Sequence, residues 1–225
     1  MQDNLRETLE KSKIIVIVRG VDAEHIVPLA EAMYRGGIRF VELTFDASGK
    51  CRDQETAEKI RRLCDALGDR MYFGAGTVLT EKQLLLAKDA GARYIISPDT
   101  NTALIRKTKE LGMLSMPGAL TPSEIVTAHN AGADYVKLFP TGEFGVSYFK
   151  AVTAPLNHIK LLAVGGVSLD NMASYLAAGA YGFGIGSSIV DKKRIAAGDY
   201  AGITQLAASY VQCLSDALAK EKSHD

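Results

Sequence analysis

Lys137 stands in Asp134-Tyr135-Val136-Lys137-Leu138-Phe139-Pro140, a short apolar run with the composition of a buried strand. Burial strips water from an ammonium, so an amine in such a place gives up its proton more readily and becomes a nucleophile toward ketones. The chemistry this invites is imine formation. The ordinary alternative is a strand-end lysine whose stem packs while its charge reaches water. A second charged residue in a matching context favours the chemical reading. Glu42 lies in Phe40-Val41-Glu42-Leu43-Thr44, where a period of two puts Phe40, Glu42 and Thr44 on one face. With that face turned to the same interior as Lys137, the two converge, either as a structural ion pair or as an amine beside a carboxyl that shuttles protons. Making and breaking a carbinolamine needs that shuttle.

Two glycine-rich turns suggest an anion. Gly165-Gly166 and Gly184-Ile185-Gly186-Ser187-Ser188 each follow an apolar run. Glycine lets backbone N–H groups approach a phosphate closely, Ser187 adds a hydroxyl, and a helix starting next would contribute its dipole. Either turn alone reads as tight-turn glycine. As a pair at adjacent strand ends they predict phosphate binding. Other apolar runs close on Arg19, on Gly74-Ala75-Gly76-Thr77, on Ser97-Pro98 and on Pro117-Gly118. His25, His129 and His158 share no metal-type spacing, His224 sits in the tail, and Lys192-Lys193-Arg194 reads as a solvated helix face. Tyr34, Tyr175 and Tyr200 fall at helical positions and are expected to pack. No metal and no cofactor are expected.

The elements that must position these residues alternate. Short runs rich in Val, Ile, Phe and Tyr recur at 14–18, 38–44, 71–76, 94–97, 113–116, 135–139, 159–164 and 181–186, separated by segments of helical periodicity. Thr80-Glu81-Lys82-Gln83 and Thr121-Pro122-Ser123-Glu124 read as capping boxes, the second with proline at the first helical position. Gly37, Gly91, Gly112, Gly132 and Gly179 read as left-handed helix stops just before the next strand. Eight strand-then-helix units predict a parallel sheet closed into a (β/α)8 TIM barrel of the α/β class, one domain over residues 1–225. An open doubly wound sheet is the alternative, but no Gly-x-Gly-x-x-Gly follows the first strand. Residues 201–219 read as a final amphipathic helix, and 220–225 as a polar end. In a barrel the strands' C-terminal ends carry the chemistry, and Lys137, Arg19, Thr77, Pro98 and the glycine turns all fall there.

Composition bounds the partners. With 225 residues, 47% of them hydrophobic, the chain can bury one sizeable core. Lys and Arg balance Asp and Glu at 26 each, so no global field draws it to nucleic acid or to an anionic membrane. Three cysteines without metal-type spacing fit a reducing compartment. No apolar run has the length of a membrane span, and the first residues carry no signal-peptide pattern, so the cytoplasm is the expected location.

These motifs, in this order from about Ile15 to Ala219, resemble the class I aldolases that cleave 2-keto-3-deoxy-6-phosphogluconate (KDPG) and 4-hydroxy-2-oxoglutarate (KHG). The likeness rests on Glu42-Leu43-Thr44, Gly74-Ala75-Gly76-Thr77-Val78, Ser97-Pro98, Pro117-Gly118, Thr121 to Glu124, Val136 to Pro140, Gly165-Gly166 and Gly186-Ser187. The resemblance implies a homotrimer acting on a keto acid without metal. It makes Lys137 the imine-forming lysine and Glu42 the proton-transfer group, with Thr77, Pro98 and Phe139 around the pyruvate half. It also implies that Gly165, Gly166, Gly186 and Ser187 bind the phosphate, and that Arg19 is a polar strand-one residue facing the substrate. Phe45-Asp46 departs from the leucine and arginine that many KDPG-cleaving members carry after the Glu-Leu-Thr stretch, so either carboxylate recognition falls to Arg19, Thr77 and backbone donors or the preferred substrate differs. Ala163-Val164 replaces a proline and threonine and looks more like the branch acting on 2-keto-3-deoxy-6-phosphogalactonate, whereas Thr44 does not. A phosphosugar isomerase or decarboxylase on the same barrel, and a silent phospho-ligand binder, are the alternatives outside this family's chemistry.

Overall fold

The structure, a computed structural model, describes residues 2–222, so His224 lies outside the described residues. The strands are β1 (Ile14–Val18), β2 (Phe40–Thr44), β3 (Tyr72–Gly76), β4 (Tyr94–Ile96), β5 (Leu114–Met116), β6 (Gly118–Ala119), β7 (Val136–Leu138), β8 (Leu161–Val164) and β9 (Gly182–Ile185). All pair in parallel, in the order β5-β4-β3-β2-β1-β9-β8-β7-β6. The two ends of that order are consecutive in the chain. Pro117, which has no N–H to give a ladder, splits the fifth predicted strand: β5 pairs with β4 and β6 with β7. The predicted eight strands are therefore present as a ring, the first with its predicted bounds, the others trimmed by a residue or two, and the fifth continued past Pro117 by β6.

Helices cover the outside. They are α1 (Gln2–Ser12), α2 (Ile26–Arg35), α3 (Asp53–Leu67), α4 (Glu81–Asp89), α5 (Thr102–Glu110), α6 (Pro122–Asn130), α7 (Thr141–Thr153), α8 (Met172–Ala177), α9 (Lys192–Ala196) and α10 (Tyr200–Lys222). The period of two along each strand sorts its side chains into two cores. Val41, Leu43, Phe73, Ala75, Val136, Leu138 and Phe183 face the helices, and Ile15, Phe40, Tyr94, Met116, Tyr135 and Leu162 fill the barrel. All five predicted helix stops are left-handed, with φ from 75° at Gly112 to 100° at Gly132. The Thr121–Glu124 capping box is reciprocal. The one expected at Thr80 is half of one: Thr80 accepts from Gln83 N, but Gln83 Oε1 accepts from Leu79 N, one residue further back.

No strand pattern announced α1. Its Leu5 and Leu9 insert into the interior cluster at the N-terminal end of the barrel. Polar groups fix it there: Arg6 pairs with Asp134, Lys160 Nζ lies 2.8 Å from Glu10 Oε1, and Lys13 Nζ donates to Tyr181 O at 3.1 Å. Asp134 also takes Lys109 Nζ at 2.6 Å and Ser115 N at 2.8 Å. One end of the barrel is thus plugged, and the other is open.

Candidate active site

The open end holds a cavity of about 430 Å³ at the strands' C-terminal ends. Each of the ten residues singled out from the sequence lines it: Lys137, Glu42, Arg19, Thr77, Pro98, Phe139, Gly165, Gly166, Gly186 and Ser187. Val164, Gly184 and Ser188, which stand in motifs noted in the sequence, line it too, and sequence reasoning passed over Ile17, Val167 and Ser168. Ile17 reads only as strand core. Ser168 is a single serine after a glycine turn, a weak signal but one that was there to read.

Glu42 and Lys137 reach the cavity from opposite walls. In the ring β2-β1-β9-β8-β7 they are four strands apart among eight, and both face inward, Glu42 in register with Ile17 and Lys137 with Leu162. Glu42 is 2% exposed and Lys137 7%. Burial holds the Glu42 carboxyl above the usual carboxylate range, a shift that the charges of Lys137 and Arg19 oppose. Burial likewise pushes the Lys137 amine below the usual lysine value; Glu42 opposes that shift and Arg19 adds to it. Both directions favour the uncharged forms, an amine and a carboxylic acid, over ammonium and carboxylate. The structural ion pair considered from the sequence does not form among the described residues, and Glu42 Oε2 is buried with no hydrogen-bond partner there.

Glycines on β3 make room for this carboxyl. A Cβ on Gly76 would lie 1.5 Å from Glu42 Oε1, so only glycine allows Glu42 to lean over that strand. The next residue, Thr77, takes a left-handed φ of 54°, a conformation costing about 1–2 kcal/mol for a residue with a Cβ. Its Oγ1 accepts from Arg19 Nη2 at 3.4 Å, which joins the ends of β1 and β3 across the rim. Phe139, 38% exposed, forms the lip beside Lys137, whose Nζ stands 4.7 Å from the centre of its ring.

The glycine turns form the far wall. Gly165 and Gly166 are both left-handed, with φ of 88° and 79°. Gly142 N donates to Gly165 O at 2.7 Å, and Asn171 Nδ2 donates to Gly166 O at 2.8 Å, so the turn is braced from behind. At Gly186 the nearest atom to an added Cβ would be Ile17 O at 3.9 Å. This glycine is not needed for packing, and it opens on the cavity. The expected helix start behind Ser187 is absent: a single turn closes on Gly186 O, and the five-residue α9 begins only at Lys192. Any anion there would be held by backbone and hydroxyl groups, without that dipole.

Asp46 does not face the cavity chemistry. Its Oδ1 accepts from Ser48 N at 2.9 Å and Ser48 Oγ at 2.7 Å, and its Oδ2 from Cys51 N at 2.9 Å. These bonds bring its carboxyl down to about 2, the Ser48 hydroxyl contributing most. It ties the loop after β2, leaving Arg19 and Lys137 as the cationic side chains lining the cavity. The histidines and tyrosines noted earlier lie elsewhere: His25 Nδ1 is 3.0 Å from Tyr200 Oη, His129 and His158 meet edge to face on the surface, and Tyr175 donates to Thr141 O. Tyr34 packs under the Arg39 guanidinium. Of the basic run 192–194, Lys192 and Lys193 are exposed as expected, while Arg194 pairs with Asp199. No group of metal-ligating side chains is found among the described residues.

Comparison with known proteins agrees over nearly the whole chain. Residues 5–206 match the family model for KDPG and KHG aldolase. A probable 2-dehydro-3-deoxy-6-phosphogalactonate aldolase of Rhizobium meliloti is 37% identical over 83% of this chain and 85% of its own length. The 2-dehydro-3-deoxy-phosphogluconate aldolase of Treponema pallidum is 34% identical over 92% and 95%. Among solved structures, KDPG aldolase of Legionella pneumophila, with pyruvate captured as a covalent carbinolamine, superposes with a TM-score of 0.79. It is 28% identical and is matched over 88% of this chain and 93% of its own.

Proposed function

Since the chain belongs to the KDPG and KHG aldolase family, we propose that it cleaves a 2-keto-3-deoxy-6-phospho sugar acid through an imine on Lys137. The enzyme is a class I aldolase, a carbon-carbon lyase. The observation that carries the residue assignment is the buried pair of Lys137 and Glu42, both held toward their uncharged forms and facing each other across one cavity. Neutral Lys137 attacks the C2 ketone to give a carbinolamine. Glu42 donates a proton to the departing hydroxyl, water leaves, and the protonated imine forms. The Glu42 carboxylate left by that step takes the C4 hydroxyl proton as the C3–C4 bond breaks, and the bonding electrons flow to the iminium nitrogen. The aldehyde leaves, Glu42 returns the proton to C3 of the enamine, and water hydrolyses the resulting iminium to pyruvate and free amine.

Arg19 and Thr77 at the rim supply donors for the substrate carboxylate, with Pro98 and Phe139 flanking the pyruvate portion. Gly165, Gly166, Gly186 and Ser187 take the phosphate. The substrates of this reading are KDPG, 4-hydroxy-2-oxoglutarate or both. The phosphogalactonate epimer is a second reading with its own support: Val164 lines the cavity without a hydroxyl to mark the C4 configuration, and a relative carrying that name is 37% identical. The homotrimer is part of the same reading, with Leu79, Leu85, Val126, Phe144 and Leu169 among the exposed apolar side chains available for contact. So is a cytoplasmic location, which accords with the lack, among the described residues, of any helix long and apolar enough to cross a membrane.

Two measurements test the proposal. Borohydride added with pyruvate should reduce an imine to a stable adduct found by peptide mass spectrometry on Lys137 and nowhere else. An adduct elsewhere, or none, removes the mechanism and favours an isomerase or a silent binder. Pyruvate release from the two epimeric phospho sugar acids and from 4-hydroxy-2-oxoglutarate then ranks the substrates.

A further inference from the structure

Among the described residues, two buried polar atoms without a partner stand over the same stretch of β3: Glu42 Oε2 and the Tyr94 hydroxyl. Glu42, Gly74 and Tyr94 are level with one another on the adjacent strands β2, β3 and β4. In a parallel sheet, residues in register point to the same side, here the barrel interior. Gly74 has no side chain, and the Tyr94 ring occupies the space: a Cβ on Gly74 would meet Cε2 at 2.2 Å and Cζ at 2.6 Å. Because Cζ carries the hydroxyl, the ring reaches across β3 toward β2. From the other side, Glu42 leans over β3 two residues further on, its Cδ 2.3 Å from where a Gly76 Cβ would be. Two residues of strand span about 6.6 Å. The Tyr94 ring and the Glu42 carboxyl thus stand over successive inward positions of the same strand.

Among the described residues the Tyr94 hydroxyl has no hydrogen-bond partner. Its ring packs on Phe40 at 5.8 Å within the apolar cluster of Ile96, Leu114 and Met116. A hydroxyl left bare in such a place costs about 1–3 kcal/mol, which a phenylalanine would avoid while filling the same space. Glu42 is also the foremost charge acting on Tyr94, whose hydroxyl burial keeps protonated and so able to donate.

We propose that Tyr94 is a positioning residue for Glu42, its hydroxyl donating through one buried water to Glu42 Oε2. A buried water with two polar partners of this kind is an ordinary part of a protein interior. A donor aimed at the second oxygen fixes the carboxyl's rotation, leaving Oε1 turned to the cavity. It also favours the ionised form, which offsets part of the burial that holds Glu42 toward its acid form. The charged and titratable groups facing Glu42 are then Lys137 from β7, Arg19 beyond β1 and Tyr94 from β4. The inference rests on the assignment of Glu42 as the proton-transfer group.

The test is the pH dependence of kcat in the wild-type enzyme, Glu42→Gln and Tyr94→Phe. Glu42→Gln identifies the limb that belongs to Glu42, because that limb disappears. In Tyr94→Phe the same limb should move to higher pH by about half a unit to one unit, the direction for a carboxylate that has lost a donor, with KM little changed. If the limb persists in Glu42→Gln, the assignment of Glu42 falls, and this inference with it. If the limb disappears there but stays in place in Tyr94→Phe, the inference alone is overturned. A thermal midpoint that rises in Tyr94→Phe with an unmoved limb would mark the hydroxyl as a bare polar atom with no part in the reaction.

Discussion

The two ends of this barrel treat buried charge in opposite ways. At the plugged end, the buried Asp134 carboxylate is enclosed by Arg6, Lys109 and the Ser115 amide, and Glu10 meets Lys160 at the solvent-exposed margin. At the open end, Glu42 and Lys137 are about as deeply buried as that carboxylate, yet among the described residues no ion pair joins them and one carboxyl oxygen has no partner. Partners at the first end satisfy the charges and fasten a helix. Isolation at the second leaves proton positions adjustable, which is what a group that must gain and lose protons requires. Removing a charge should therefore weaken the fold at one end and the chemistry at the other.

Lys137→Met is the strongest break of that contrast. It keeps the volume and removes the amine, so turnover should fall on the order of 10⁴-fold or more, as when a nucleophile is deleted. The thermal midpoint should not fall, and the sign follows from proton binding. Burial holds the folded pKa of Lys137 below its unfolded value, so below the latter the folded protein binds fewer protons than the unfolded chain. The lysine thus costs stability at neutral pH and costs less as pH rises toward about 10.4. The gain in Lys137→Met should shrink along the same range, which urea titrations at several pH values would show.

Asp134→Ala probes the other end. With its shared carboxylate gone, two cations and an amide lose their partner, and stability should drop by about 2–4 kcal/mol. Turnover measured below the new midpoint should keep its wild-type value. A comparable loss of kcat would mean that the plug and the cavity are coupled, and the contrast would fail. Gly186→Ala sharpens it with the smallest change. A Cβ there meets nothing nearer than 3.9 Å, so the midpoint should stay put, while KM for a phosphorylated substrate should rise about tenfold, the loss of one charge-assisted hydrogen bond. KM for 4-hydroxy-2-oxoglutarate should not move.

Much of this was legible in the residues because the signals were violations of a local pattern. A charge in an apolar run, as at Lys137 and Glu42, has few explanations, and a glycine before a strand has a definite backbone reason, which the left-handed φ at Gly37, Gly91, Gly112, Gly132 and Gly179 bears out. What conformed to its pattern stayed hidden. Tyr94 reads as strand core, and only the register with Gly74 and Glu42 shows that its ring lies over the strand beside Glu42. The first helix offers just Leu5 and Leu9 in a polar segment, too little to reveal that it closes a barrel. Asp46 reads only as a missing arginine, because its bonds to Ser48 and Cys51, which tie the loop after β2, leave no mark in the sequence. The helix expected behind Ser187 failed for a similar reason, since a glycine-serine turn does not say how soon the next helix begins.

Closing one end of the barrel with Leu5 and Leu9 also sets the order of traffic. A dead-end chamber has a single doorway, so whatever sits deepest must arrive first and depart last. If, as proposed, the keto acid is anchored on Lys137 and the phosphorylated half lies against the glycine turns, the aldehyde has to clear the threshold before pyruvate can follow. In the synthetic direction the queue is reversed.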